Sequence, residues 1–102
     1  MNKTQKQKLN ELTDRALMKW GKTGQVIKCI EELAELQEVL PRLQKALCKN
    51  ILGLKDDSDL AEELSDCEIM LHQMKRIYGL NNKVDGVIAE KLYSLELRIG
   101  RV

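Results

Sequence analysis

Two short acidic segments, EELAELQEVL at residues 31–40 and EELSDCEIML at residues 62–71, carry the side chains best suited to chemistry. Each sets two carboxylates three positions apart: Glu32 and Glu35 in the first, Glu63 and Asp66 in the second, with 27 residues between the pairs. Residues three apart share a helix face, and here that face is otherwise apolar. At about 100° per residue, Cys29, Leu33, Leu36, Val39, Leu40 and Leu43 form one arc, with Glu32 inside it and Glu35 at its edge. Leu60, Leu64, Cys67, Met70, Leu71, Met74 and Ile77 form a second, with Glu63 inside and Asp66 at the edge. An ionised carboxylate among apolar groups is strongly disfavoured unless it is paired or holds a cation. Four together also raise one another's pKa. A divalent cation reverses both penalties, and an all-oxygen donor set suits Mg²⁺ or Mn²⁺ rather than zinc. Either segment alone reads as a solvated helix face; the repetition argues for a metal site.

The elements that must position these acids are helices. One proline, six glycines and no phenylalanine weigh against a sheet, and four segments show helical periodicity instead. The first runs from about Thr4 to Trp20, with Leu9, Leu12, Ala16 and Trp20 along one side, and ends at Gly21 and Gly24. The second runs from about Gln25 to Lys49, and Pro41 predicts a kink or break near Leu40. A loop, NILGLKDDSD, follows. Ser58 or Asp59 is placed to cap the third helix, Asp59 and Glu62 having capping-box spacing. That helix ends near Tyr78, where GLNNK supplies the turn. The fourth spans about Lys83 to Ile99, with Val84, Ile88, Leu92, Leu95 and Ile99 along one seam. The expected fold is all-α, a four-helix bundle in one domain of 102 residues. So small a core favours oligomerisation, and the broad apolar coverage of the second helix, including Ile27 and Ala34, fits contact with more than one neighbour.

Charge and composition narrow the function. Lys plus Arg number 17 against 16 Asp plus Glu, without the basic excess of a nucleic-acid binder. The apolar runs fall far short of the ~20 residues that span a bilayer. The polar opening MNKTQKQKLNEL carries no leader signature, so a cytoplasmic protein is expected. Cys29, Cys48 and Cys67 lack metal or redox spacing and read as reduced structural thiols.

Glu32-x-x-Glu35 followed by Glu63-x-x-Asp66 resembles the E-x-x-E … E-x-x-D signature of the MazG-like all-α nucleoside triphosphate pyrophosphohydrolases. KWGKTGQ ahead of the first pair, EIMLHQM after the second and the ending EKLYSLELRI extend the likeness to the small phage-type members over most of the chain. The resemblance implies a Mg²⁺-dependent hydrolase converting a nucleoside triphosphate to a monophosphate and pyrophosphate. It implies a homodimer or homotetramer, with Glu32, Glu35, Glu63 and Asp66 as metal ligands. A water activated at the metal needs no serine or cysteine nucleophile. Glu31 or Glu38 is a candidate to orient or deprotonate it, although both lie off the main cluster on the wheel.

Other residues carry two readings each. Lys91, matching the lysine of the family's closing segment, either meets a phosphate, pairs with an acidic ligand or snorkels at the surface. Trp20 either stacks on a base or continues the core stripe. Gln25 either reads a base edge or simply opens a helix. His72 points away from Glu63 and is expected to be exposed. Lys28, one turn before Glu32, is spaced to pair with it when no metal is present. The alternative to an enzyme is a helical interaction module whose acids form salt bridges between subunits. A di-iron bundle lacks its Glu-x-x-His pairs.

Overall fold

The computed structural model describes residues 1–49 and 54–100. They form three helical elements, α1 (Lys3–Lys49), α2 (Leu54–Ile77) and α3 (Asn81–Ile99), with no strand among the described residues. The all-α expectation holds. The first two expected helices are one element interrupted in its backbone at Gly21, where φ is 74° and ψ 171°. Only glycine enters that region cheaply, because it has no Cβ. Gly24 stays helical.

The Gly21 break reverses the chain. Before it, Asn10 bonds His72 and Asp14 bonds Arg76, so both residue numbers rise together and the first arm of α1 runs parallel to α2. Beyond it, the Cys67 thiol donates to the Glu32 carbonyl at 3.4 Å and Arg42 meets Asp59 at 3.5 Å. One number now rises as the other falls, so the second arm runs antiparallel to α2. The two arms flank α2, and the acidic segments face each other across the antiparallel pair.

Several local expectations need correction. The chain passes through Pro41 with helical backbone angles and continues to Lys49, without a break. The missing N–H forfeits one backbone hydrogen bond, while Val39, Leu43 and Ala46, all buried, hold the turns on either side. The α2 helix begins at Leu54, ahead of the proposed capping box. Ser58 and Asp59 therefore lie inside it, and Asp59 reaches across to Arg42. Residues 50–53 of the expected loop lie outside the described residues. The α2 C-terminus closes where GLNNK predicts. Gly79 takes φ 63°, and the Leu80 and Gly79 N–H groups return to the Lys75 and Arg76 carbonyls at 2.8 and 3.2 Å, the Schellman pattern.

Leu9, Cys29, Val39, Leu43, Ala46, Cys67 and Met70 form the buried apolar core, and the polar Thr13 is fully buried as well. The Thr13 hydroxyl donates to the Leu9 carbonyl at 2.7 Å, so its own burial leaves that hydroxyl paired. Trp20 does not continue this core: it is 60% exposed, because the stripe turns from Leu9 to Thr13 rather than to Leu12. The α3 helix buries none of its residues, touches only α2 among the described elements, and leaves Ile88, Leu92, Leu95 and Ile99 open.

Candidate metal centre

One oxygen from each of Glu32, Glu35, Glu63 and Asp66 lies within 4.8 Å of the other three. Glu32 and Glu35 occupy one turn of α1 beyond Gly21, and Glu63 and Asp66 one turn of α2. The Cys67 thiol on the Glu32 carbonyl and the buried Cys29, Cys67 and Met70 fix how those turns meet. Burial follows the helical wheels: Glu32 is buried, Glu63 and Asp66 are half-buried, and Glu35 is exposed at the rim.

The electrostatics of the cluster are unbalanced. Lys28 Nζ lies 2.8 Å from Glu32 Oε1, and this hydrogen bond, opposed by burial, holds the Glu32 carboxyl below its ordinary pKa. Burial, then the negative charge of Glu35, pushes Glu63 above its own. Two buried oxygens, Glu32 Oε2 and Glu63 Oε2, have no hydrogen-bond partner. Stranded carboxylate oxygens cost free energy, and here they lie among two further carboxylates. Hard divalent cations sit about 2.0–2.6 Å from oxygen ligands, so oxygens within 4.8 Å of one another span the diameter of one coordination sphere. The donor set and the stranded atoms fit such an ion.

The remaining candidates scatter. Glu31 is exposed, 3.9 Å from Lys28. Glu38 is exposed one turn beyond Glu35. Lys91 lies exposed on α3 beside Lys83 and Val87, and no ion pair among the described residues joins it to an acid. His72 is half-buried rather than exposed, with Nε2 2.7 Å from Asn10 Oδ1; burial, then Lys75, lowers its pKa. It ties the first arm of α1 to α2.

Trp20 and Gln25 come together. They line a cavity of about 530 Å³ with Lys28, Glu31, Met70 and Gln73. Gln25 is 4% and Gln73 7% exposed. Gln73 escaped the sequence reading, although its signal was present: it follows Asp66 by seven residues and so shares that carboxylate's face. Lys28 joins the two regions, lining the cavity while holding Glu32. In comparisons with known proteins, no family model, curated protein or solved structure matches this chain.

Proposed function

We propose that this chain is a divalent-cation-dependent nucleoside triphosphate pyrophosphohydrolase of the MazG-like all-α type, cleaving its substrate to a nucleoside monophosphate and pyrophosphate. The observation that carries the reading is the convergence of four carboxylates, two of them with buried, unpartnered oxygens. Glu32, Glu35, Glu63 and Asp66 would hold Mg²⁺ or Mn²⁺. The cation supplies charge neutralisation for the polyphosphate and lowers the pKa of the attacking water. With a cation holding Glu32, Lys28, now paired with that carboxylate, would be placed to meet a phosphate oxygen. Glu31 or Glu38 would orient the water, Glu31 being the one that also lines the adjoining cavity. Water adds to the α-phosphorus, the bond to the β-phosphate oxygen breaks, and pyrophosphate leaves.

The same reading includes a homo-oligomer. A compact protein of 11.7 kDa exposes about 5,900 Å², whereas this chain exposes 8164 Å². Its radius of gyration is 16.7 Å against about 13 Å expected. An excess of that size is what an obligate partner would cover. The α3 seam, with Leu33, Leu40, Leu64 and Leu71 exposed on α1 and α2, is the surface that a second copy would cover to complete a four-helix bundle. The interaction-module alternative needs acids aimed at another subunit. Here they face one another within one chain.

The test is a panel of ribo- and deoxynucleoside triphosphates incubated with Mg²⁺, with products resolved by phosphorus NMR. Monophosphate and pyrophosphate from at least one substrate, abolished by chelation, are expected. Release of orthophosphate alone, or no cleavage of any triphosphate, would overturn the assignment.

A further inference from the structure

The cavity beside the acids contains two buried carboxamides for which the metal chemistry has no use. Gln25 and Gln73 are each more than nine-tenths buried, line the same space, and form no side-chain hydrogen bond with any described residue. Buried amides ordinarily find partners. Neither amide has an atom sealed from solvent and unpaired, so their polar atoms keep access to space beside them; Gln73 borders both this cavity and a smaller one with Leu12 and Arg15.

Their positions are matched. Gln25 precedes Glu32 by seven residues and Gln73 follows Asp66 by seven. Seven residues are two helical turns, about 10 Å, on nearly the same face. Because the second arm of α1 and α2 run antiparallel, both steps lead to the same end, away from the carboxylates and towards Gly21. Trp20 and Met70 add flat and flexible apolar surface there.

We infer that Gln25 and Gln73 are specificity residues, together reading the hydrogen-bonding edge of a neutral nucleobase that lies against Trp20. This inference rests on the nucleotide reading of the acidic cluster. A carboxamide presents one donor and one acceptor side by side. It therefore matches a base edge with an adjacent acceptor and donor, as glutamine does with adenine. Two carboxamides fix the base more tightly than one. Two turns is about the span from a nucleobase to its phosphates, so a nucleotide so bound carries its phosphates towards Glu32 and Glu63. A ligand without a base would offer neither amide a partner.

Trp20 is the sole tryptophan, so its fluorescence reports the cavity directly. The probes are the common nucleosides, their monophosphates with Mg²⁺, and inorganic tripolyphosphate as a ligand without a base. Nucleosides and monophosphates should quench Trp20 saturably, with one base bound at least about tenfold more tightly than the weakest, the scale of one well-formed hydrogen bond. Gln73→Met, close in volume, should reduce that preference about tenfold, and Gln73→Glu should re-rank the bases. Tripolyphosphate affinity should be unchanged in Gln73→Met. Equal affinity for every base, an unchanged ranking in both variants, or no quenching by any nucleoside would overturn the inference. Failure of the metal reading looks different: no triphosphate is cleaved, whatever its base.

Discussion

Glu63 carries an unrelieved cost within the acidic cluster. Its folded-state pKa lies above its ordinary value through burial, then through Glu35. Without metal, stability therefore falls as pH rises from the ordinary carboxylate range through the folded value, and it stays lowered above that. Glu63→Gln removes the penalty. The variant should melt higher than the wild type at pH 7 without metal, and the gap should close on acidification below the ordinary range. Saturating Mg²⁺ reverses the order. At a hundredfold excess over Kd a ligand adds about 2.7 kcal/mol, on the order of 10 °C in a domain this small, and the variant should gain little of it. Lys28 acts in the opposite sense on Glu32, whose pKa it lowers. That stabilisation is present above the ordinary carboxylate range and is lost as pH falls through the folded value. Lys28→Met should raise the Glu32 pKa, read by carbon-detected NMR titration; an unchanged value would mean the 2.8 Å pair is absent in solution. The inward position of Glu32 was legible in the sequence because a wheel registers a charge among leucines. Gln73 was not, since an uncharged amide leaves a weaker mark on an apolar arc.

At the scale of the element, the Gly21 break decides whether the acids meet at all, because it lets the second arm of α1 run antiparallel to α2. Its angles belong to a region that other residues enter at about 1–3 kcal/mol. Gly21→Ala should cost that much in urea denaturation. Gly86→Ala is the control: a Cβ there meets nothing within 4 Å, its φ is not positive, and it lies inside α3. A gain of about 0.5–1 kcal/mol is expected. Equal effects of the two changes would remove Gly21 from its role. The helices were readable from periodicity, and the turn at Gly79 from its residues. The failures have physical causes. Pro41 forfeits one hydrogen bond, too little to end a helix whose neighbouring turns are buried. The Asp59 capping box lost to a helix start one turn earlier and to Arg42. Trp20 left the core because Thr13 could bury its hydroxyl against the preceding turn.

The whole molecule is more open than its mass allows for a compact monomer. No helix among those described is long and apolar enough to cross a membrane, so the α3 seam is not a transbilayer segment. Sedimentation equilibrium at micromolar concentration should return at least twice 11.7 kDa, and Ile88→Glu with Leu92→Glu should lower it towards one chain. A monomeric wild type would contradict the assembly. The sequence anticipated unpaired apolar faces, but which faces stay open depended on how far α3 stands from the others, and no helical wheel contains that distance. The central claim is simpler than the assembly: four carboxylates converge because an ion belongs among them. Its most direct test is titration of Mn²⁺ followed by electron paramagnetic resonance, in which the free-ion signal disappears on binding. The wild type should take up one or two ions per chain, and the double variant Glu32→Gln with Glu63→Gln should take up none at the same concentrations. Identical binding curves for the two proteins, or no uptake by the wild type, would contradict the account.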